Sequence, residues 1–233
     1  MANSTSASLK LTVQATGENS GTWGQVTNTN LLILEQAIGG YDAFNVTNAS
    51  RALTFTNGAL SNGKNEVIKL TGTLEGNLNV TIPDSVEKTY IVHDTCNHAG
   101  YTLTFKTSSG TGVLLCEGHS YTLYSDGTNV VKAGELKKWR AITAAETIQP
   151  GAQILANTNG GAFTITLPAS PSAGDTVNFV DQGYDFQTNA LTVGRNSSNI
   201  ANAASDLVIN TQGAAFGLVY SGDATTGWTY TEK

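Results

Sequence analysis

Every histidine and cysteine of the chain lies between positions 93 and 119: His93, Cys96, His98, Cys116 and His119. Cys96-Asn97-His98 and Cys116-Glu117-Gly118-His119 are two short pairs of the kind that hold zinc, which takes four nitrogen or sulfur ligands in a tetrahedron. Three features weigh against that chemistry. A Cys-x-His pair is tighter than the usual ligand spacing. Cys116 follows the apolar run Val113-Leu114-Leu115 and reads as a small buried hydrophobe. A similar stretch later in the chain has no ligands at matching positions. The five residues therefore read as structural, and no cofactor is expected. A metal site from Cys96, His98, Cys116 and His119, a disulfide, or a ring of histidines shared between copies are the alternatives.

Other chemistries find less support. Glu75, Asp84, Glu87, Asp94, Asp126, Asp175, Asp181, Asp185 and Asp223 are scattered and mostly flank turns, where Asp bonds its own backbone. They do not form the paired carboxylates of glycan cleavage. Gly-x-Ser-x-Gly, a phosphate-binding loop and His-Glu-x-x-His are all absent. The expectation is a protein that is not an enzyme. Tyr121, Tyr124, Trp139, Tyr184, Tyr220, Trp228 and Tyr230 could stack on sugars, but in β-rich chains such residues mostly fill cores. Tyr184 with Phe186, in the loop 182–189, is the candidate glycan contact.

The elements that must carry these residues begin with residues 9–40. Leu9, Leu11 and Val13 alternate with polar residues, which predicts a strand. A Gly- and Asn-rich loop follows. From Thr22, Trp23, Val26, Asn30, Leu34, Ala37 and Ile38 recur at steps of three and four, which predicts one face of a helix. Thr22 is the expected N-cap, and Gly39-Gly40 the expected left-handed stop. Leu31, Leu32 and Ile33 widen the apolar surface, so the helix needs more than one partner. It packs on its own β domain or on copies of itself, and the second reading makes Trp23, Val26, Asn30, Leu31, Leu34 and Ile38 an assembly interface.

Only 13% of the residues are charged, the net charge is −6, and there are 25 Gly against 4 Pro. No clustered basic face exists to neutralise phosphates, so nucleic acid is not an expected partner. The local group Lys132, Lys137, Lys138 and Arg140 around Trp139 reads as a solvated linker. The first residues carry neither a basic start nor an apolar run, so no secretion signal is expected. No stretch is apolar over the roughly 18 residues that would suggest membrane insertion.

After residue 40 a strand recurs about every ten residues, the spacing of a sandwich or barrel. The plan then repeats. Leu78-Asn79-Val80-Thr81-Ile82-Pro83 matches the run from Ala162 to Pro168, each a strand ended by proline. Tyr90-Ile91-Val92-His93-Asp94 matches Val177-Asn178-Phe179-Val180-Asp181, and Leu103-Thr104-Phe105 matches Leu191-Thr192-Val193. Val113-Leu114-Leu115-Cys116 matches Leu207-Val208-Ile209-Asn210, and Tyr121-Thr122-Leu123 matches Phe216-Gly217-Leu218. The expected fold is mainly β: an N-terminal strand, loop and helix, then two duplicated antiparallel β-sandwich or barrel-like modules. The expected boundaries are an attachment segment 1–45, a first module 46–136 and a second 137–233.

With GENSGTWG in the N-terminal stretch and LPASPSAGDTV in the second module, the chain resembles tail-fibre and other virion structural proteins of tailed phages, especially marine and cyanobacterial ones. The resemblance covers most of the chain. It implies an elongated homotrimer in the virion tail, made in the host cytoplasm. It implies a short fibre or fibre/baseplate connector that docks through its N-terminus to other tail or baseplate proteins. A module that recognises host surface polysaccharide is the alternative.

Overall fold

A computed structural model describes residues 2–231 of the chain. It is mainly β with one α-helix, and it divides after Leu136 into two compact units. Among the described residues no helix is long and apolar enough to cross a membrane.

The first unit opens with two short strands, β1 (Ser4–Thr5) and β2 (Thr12–Val13), which pair antiparallel. The alternating stretch from Leu9 yields only β2, because Lys10 takes a left-handed backbone (φ 55°) and its carbonyl accepts the N–H of Gly58. Helix α1 (Trp23–Gly39) follows as predicted, but its ends differ from expectation. Thr22 makes no capping bond; its hydroxyl donates back to the Asn19 carbonyl. Gly40 is extended rather than left-handed, because it runs directly into the next strand. It must nevertheless be glycine: a Cβ there would stand 2.3 Å from the Gln36 carbonyl oxygen.

Strands β3 (Tyr41–Asn45), β4 (Arg51–Ala52), β5 (Val67–Thr71), β6 (Leu78–Ile82), β7 (Glu87–Asp94) and β8 (Leu103–Thr107) go alternately to two sheets. β9 (Gly112–Leu115), β10 (Ser120–Asp126) and β11 (Val130–Leu136) complete the unit. The sheet orders are β11-β10-β7-β5-β3 and β4-β6-β8-β9. This corrects the antiparallel sandwich or barrel. From β3 to β8 each strand's successor lies in the opposite sheet, so the next strand of the same sheet arrives one full coil later and runs in the same direction. Tyr41 pairs in parallel with Val67, and Val67 with Ile91. From β3 onward in this unit, the antiparallel pairings are those that β9, β10 and β11 make. The result is a short β-solenoid closed at one end by antiparallel strands.

Alternation fills the space between the sheets. Leu78, Val80 and Ile82 of β6 and Leu103 and Phe105 of β8 meet Ile68, Leu70, Tyr90, Val92 and Leu123 from the other sheet in one buried cluster. The Tyr90 and Phe105 rings meet across it with centroids 5.4 Å apart. Each such side chain contributes about 2 kcal/mol by leaving water.

The second unit repeats the plan strand for strand. β12 (Trp139–Ile142), β13 (Glu146–Thr147), β14 (Gln153–Ala156), β15 (Phe163–Thr166), β16 (Thr176–Asp181), β17 (Leu191–Gly194), β18 (Leu207–Ile209), β19 (Ala215–Tyr220) and β20 (Trp228–Tyr230) form sheets β12-β14-β16-β19-β20 and β13-β15-β17-β18. These orders reproduce those of β3 to β11. The basic group read as a linker is divided among elements: Lys132 lies in β11, and Arg140 lies in β12, where it pairs with Glu146.

Candidate functional site

The histidine–cysteine cluster closes the first unit's core at the end of its central strand. Asp94, the last residue of β7, is fully buried. Its Oδ1 accepts the Cys96 N–H at 3.0 Å, and its Oδ2 meets His98 Nε2 at 2.7 Å. The His98 N–H donates to Glu117. His119 uses a different carboxylate, with Nδ1 2.7 Å from Glu135 Oε1, and Glu135 also accepts Lys132. His98 Nδ1 and His119 Nε2 are buried without hydrogen-bond partners. Each ring therefore meets its carboxylate through one nitrogen, with the other facing the core.

Neither cysteine is in a disulfide and both are buried. Burial, with the Asp94 carboxylate adding to it, pushes the Cys96 thiol up to about 12. A thiol so held is not a nucleophile near neutrality. Burial also pushes the Tyr121 hydroxyl up, and its oxygen accepts the Cys116 N–H at 2.7 Å. Burial pushes Glu135 up too, but hydrogen bonds from His119 and Lys132 outweigh it and hold the carboxyl at about 2. Among the described residues no group of three His, Cys, Asp or Glu is placed to hold a metal ion. The candidates Cys96, His98, Cys116 and His119 thus share a closure, in which Cys96 and His98 meet Asp94 while His119 meets Glu135.

Helix α1 is the second candidate region. Its inward side is fastened mostly by polar contacts. Asn30 grips the backbone of β2 through both its amide atoms, accepting the Thr12 N–H and donating to the Thr12 carbonyl, each at 2.9 Å. Gln36 bonds Asn65 and Ser61. Lys88 reaches from β7 to the Ala37 carbonyl and pairs with Glu66 at 3.0 Å. Ile33 is the helix's one fully buried residue. The outward side carries Trp23 (65% exposed), Leu31, Leu32, Leu34 and Ile38 (78% exposed), continued by Tyr41 at the start of β3. Of the expected interface residues, Asn30 faces its own unit and Val26 is half-buried; Trp23, Leu31, Leu34 and Ile38 face out.

The loop after β16 separates the two glycan candidates. Tyr184 is 66% exposed and Phe186 is fully buried. Phe186 is corrected from contact residue to core plug: its own N–H and those of Asp185 and Gly213 converge on the buried Asp181 carboxylate, which folds the loop inward over the ring. Tyr184 stays outside in a left-handed conformation (φ 53°), its ring against Gly213 and its carbonyl accepting Gln212. The sequence offered no sign that one aromatic would turn in and its neighbour out. It also gave no sign of an open cleft of about 300 Å³ lined by Phe44, Asn45, Arg51, Leu53 and Asn62, between the edge strands β3 and β4.

Comparisons with known proteins add little to this geometry. No family model matches the chain. No curated protein matches it either. One solved structure, described as "Structure of a chaperone-substrate complex", is 17% identical with a TM-score of 0.38. The match covers 82% of this chain and 35% of that one. At that score the likeness carries no argument.

Proposed function

We propose that the chain is a non-enzymatic structural component of a phage tail, a short fibre or a fibre/baseplate connector. It works as a homotrimer in the virion, docks to other tail or baseplate proteins through its N-terminal segment and displays two β-solenoid units. One observation carries the reading. The segment through α1 is the part with no counterpart in the second unit, and it turns a row of large apolar residues outward on a helix whose single charged residue is Glu35. A face of that kind marks a contact surface. The test is immunogold labelling of purified tailed-phage particles with an antibody against the full chain. Gold on the tail is expected; unlabelled particles that still carry the chain's peptides elsewhere overturn it.

Tyr184 supports a second reading, recognition of host surface polysaccharide. It presents an exposed ring beside the Gln212 amide, a pairing suited to stacking and hydrogen bonding on a sugar. Binding of the full chain to purified lipopolysaccharide that is lost in Tyr184→Ala supports it. Equal binding by the variant removes Tyr184 from the role.

A further inference from the structure

We infer that Asn159–Gly160 is a site of self-modification, at which the asparagine converts to aspartate and isoaspartate and places new negative charge against the loop that carries Tyr184.

The sequence holds three Asn–Gly pairs, Asn57–Gly58, Asn62–Gly63 and Asn159–Gly160. In such a pair the glycine amide nitrogen, once it has given its proton to hydroxide, attacks the asparagine Cγ. The N–Cγ bond forms, the Cγ–Nδ2 bond breaks, and ammonia leaves. Water then opens the five-membered imide at either carbonyl. Cleavage at Cγ gives aspartate; cleavage at the main-chain carbonyl carries the backbone through Cβ as isoaspartate. No oxidant or reductant takes part. The step needs a glycine N–H open to water and an unbonded asparagine amide, and the fold grants these unequally. Gly63 is buried, and its N–H donates to the Thr54 carbonyl at 3.1 Å. Asn62 Oδ1 also accepts both the N–H and the hydroxyl of Thr54. The Gly58 N–H donates to the Lys10 carbonyl at 2.7 Å. Gly160, in contrast, is an inner residue of a turn closed by the Gly161 N–H on the Thr158 carbonyl at 2.9 Å, and both Asn159 and Gly160 are exposed. Among the described residues none accepts the Gly160 N–H, and none bonds the Asn159 side-chain amide. That side chain rests on Gly183 instead, where a Cβ would stand 2.3 Å from its Oδ1. Tyr184 is the next residue, so the product carboxylate meets its loop directly.

The experiment stores the full chain in mildly alkaline buffer and follows the three asparagines by peptide mass spectrometry, with isoaspartyl methylation as a second readout. Asn159 should convert first. Asn57 should be about fivefold slower, for the one hydrogen bond its glycine must give up, and Asn62 about 100-fold slower, for three. In denaturant the three rates should draw together. Gly160→Ala should slow Asn159 several-fold, because a methyl group crowds the attacking nitrogen. The space around Gly160 is open and its backbone is not left-handed, so that variant should fold as the parent does. Converted chain should show faster hydrogen exchange across 182–189. Conversion at Asn57 or Asn62 ahead of Asn159, the same spread of rates in denaturant, or an undiminished rate in Gly160→Ala would overturn the site. Unchanged exchange across 182–189 would overturn its coupling to the Tyr184 loop.

Discussion

Asp94 and Asp181 stand at the same place in the two units, the last residue of the central strand, and both carboxylates are buried. A buried carboxylate without partners is strongly destabilising, so each unit must supply donors. The second unit does it with backbone: the N–H groups of Asp185, Phe186 and Gly213 surround Asp181. The first unit uses the Cys96 N–H and the His98 ring. The position facing the aspartate on the next strand differs in the same way. The carbonyls that accept the Asp94 and Asp181 N–H groups belong to His119 and Ala214. One topology thus accepts a closure that uses a side-chain donor and one built from backbone donors alone. The comparison explains the cluster of histidines and cysteines in the first unit as a way of sealing a core, without invoking a reaction.

The comparison breaks hardest at the aspartates. Asp181→Ala orphans three backbone donors at once, and should destabilise the second unit by about 3 kcal/mol. Hydrogen exchange followed by mass spectrometry reads each unit separately, and protection should fall in β14, β16 and β19 alone. His98→Ala removes one donor and leaves the Asp94 carboxylate with the Cys96 N–H, for about 2 kcal/mol in the first unit. If His98→Ala left β7 and β10 as protected as before, the closure would not depend on the ring.

The sequence showed the duplication because each strand ends on its own marker: the prolines 83 and 168, the aspartates 94 and 181, and the turns after β10 and β19. It hid the coil, because alternation reports which side of a strand is buried and says nothing of which strand lies beside it. The helix was legible from its period, with Trp23, Leu34 and Ile38 on the stripe and Leu31 beside it. The direction of that face was not: Asn30 and Val26 share the same stripe by spacing, yet Asn30 turns to the β2 backbone, a contact no local pattern encodes. Phe186 was misread for a similar reason. Its loop looks polar, and only the convergence on Asp181 brings the ring inside.

Acid sharpens the contrast between the closures. Glu135 is held at about 2, below its ordinary 4.5, through His119 and Lys132. A lowered folded value means stability that is complete above about 4.5 and lost as pH falls toward 2. Lys132 is half exposed, so screening reduces the effect, and about 1–2 kcal/mol is expected. Between pH 5 and pH 2.5 the first unit should lose protection around β10 and β11. Glu135→Gln should remove that part of the pH dependence and lower stability at pH 7. A variant with the parent's full acid response would assign the sensitivity elsewhere.

The first coil of each unit gives the smallest and most local test. Arg51 and Glu146 each pair with the residue three places before the strand-ending proline, so they are equivalent positions with opposite charge. Asp42 and Arg140 match in the same way, each in register with an isoleucine of the next strand. In the second unit these positions form the Arg140–Glu146 ion pair, in which both guanidinium ends reach the carboxylate. In the first unit both side chains turn to the backbone of the edge strand β3 instead, Asp42 within that strand and Arg51 across from β4. Asp42 accepts the Ala43 N–H, and Arg51 donates to the Asn45 carbonyl at 2.9 Å. These bonds occupy backbone groups of β3 and so blunt an exposed edge against pairing with another chain, whereas the ion pair joins two side chains and leaves the backbone of its edge strands untouched. Arg140→Ala should therefore lower stability by about 0.5–1 kcal/mol, and less at high salt. Arg51→Ala should change it by under ~0.5 kcal/mol while raising light scattering on prolonged incubation, as the freed carbonyl finds new partners. Equal losses of stability from the two substitutions, with no scattering from Arg51→Ala, would mean that the charge reversal has no bearing on edge protection.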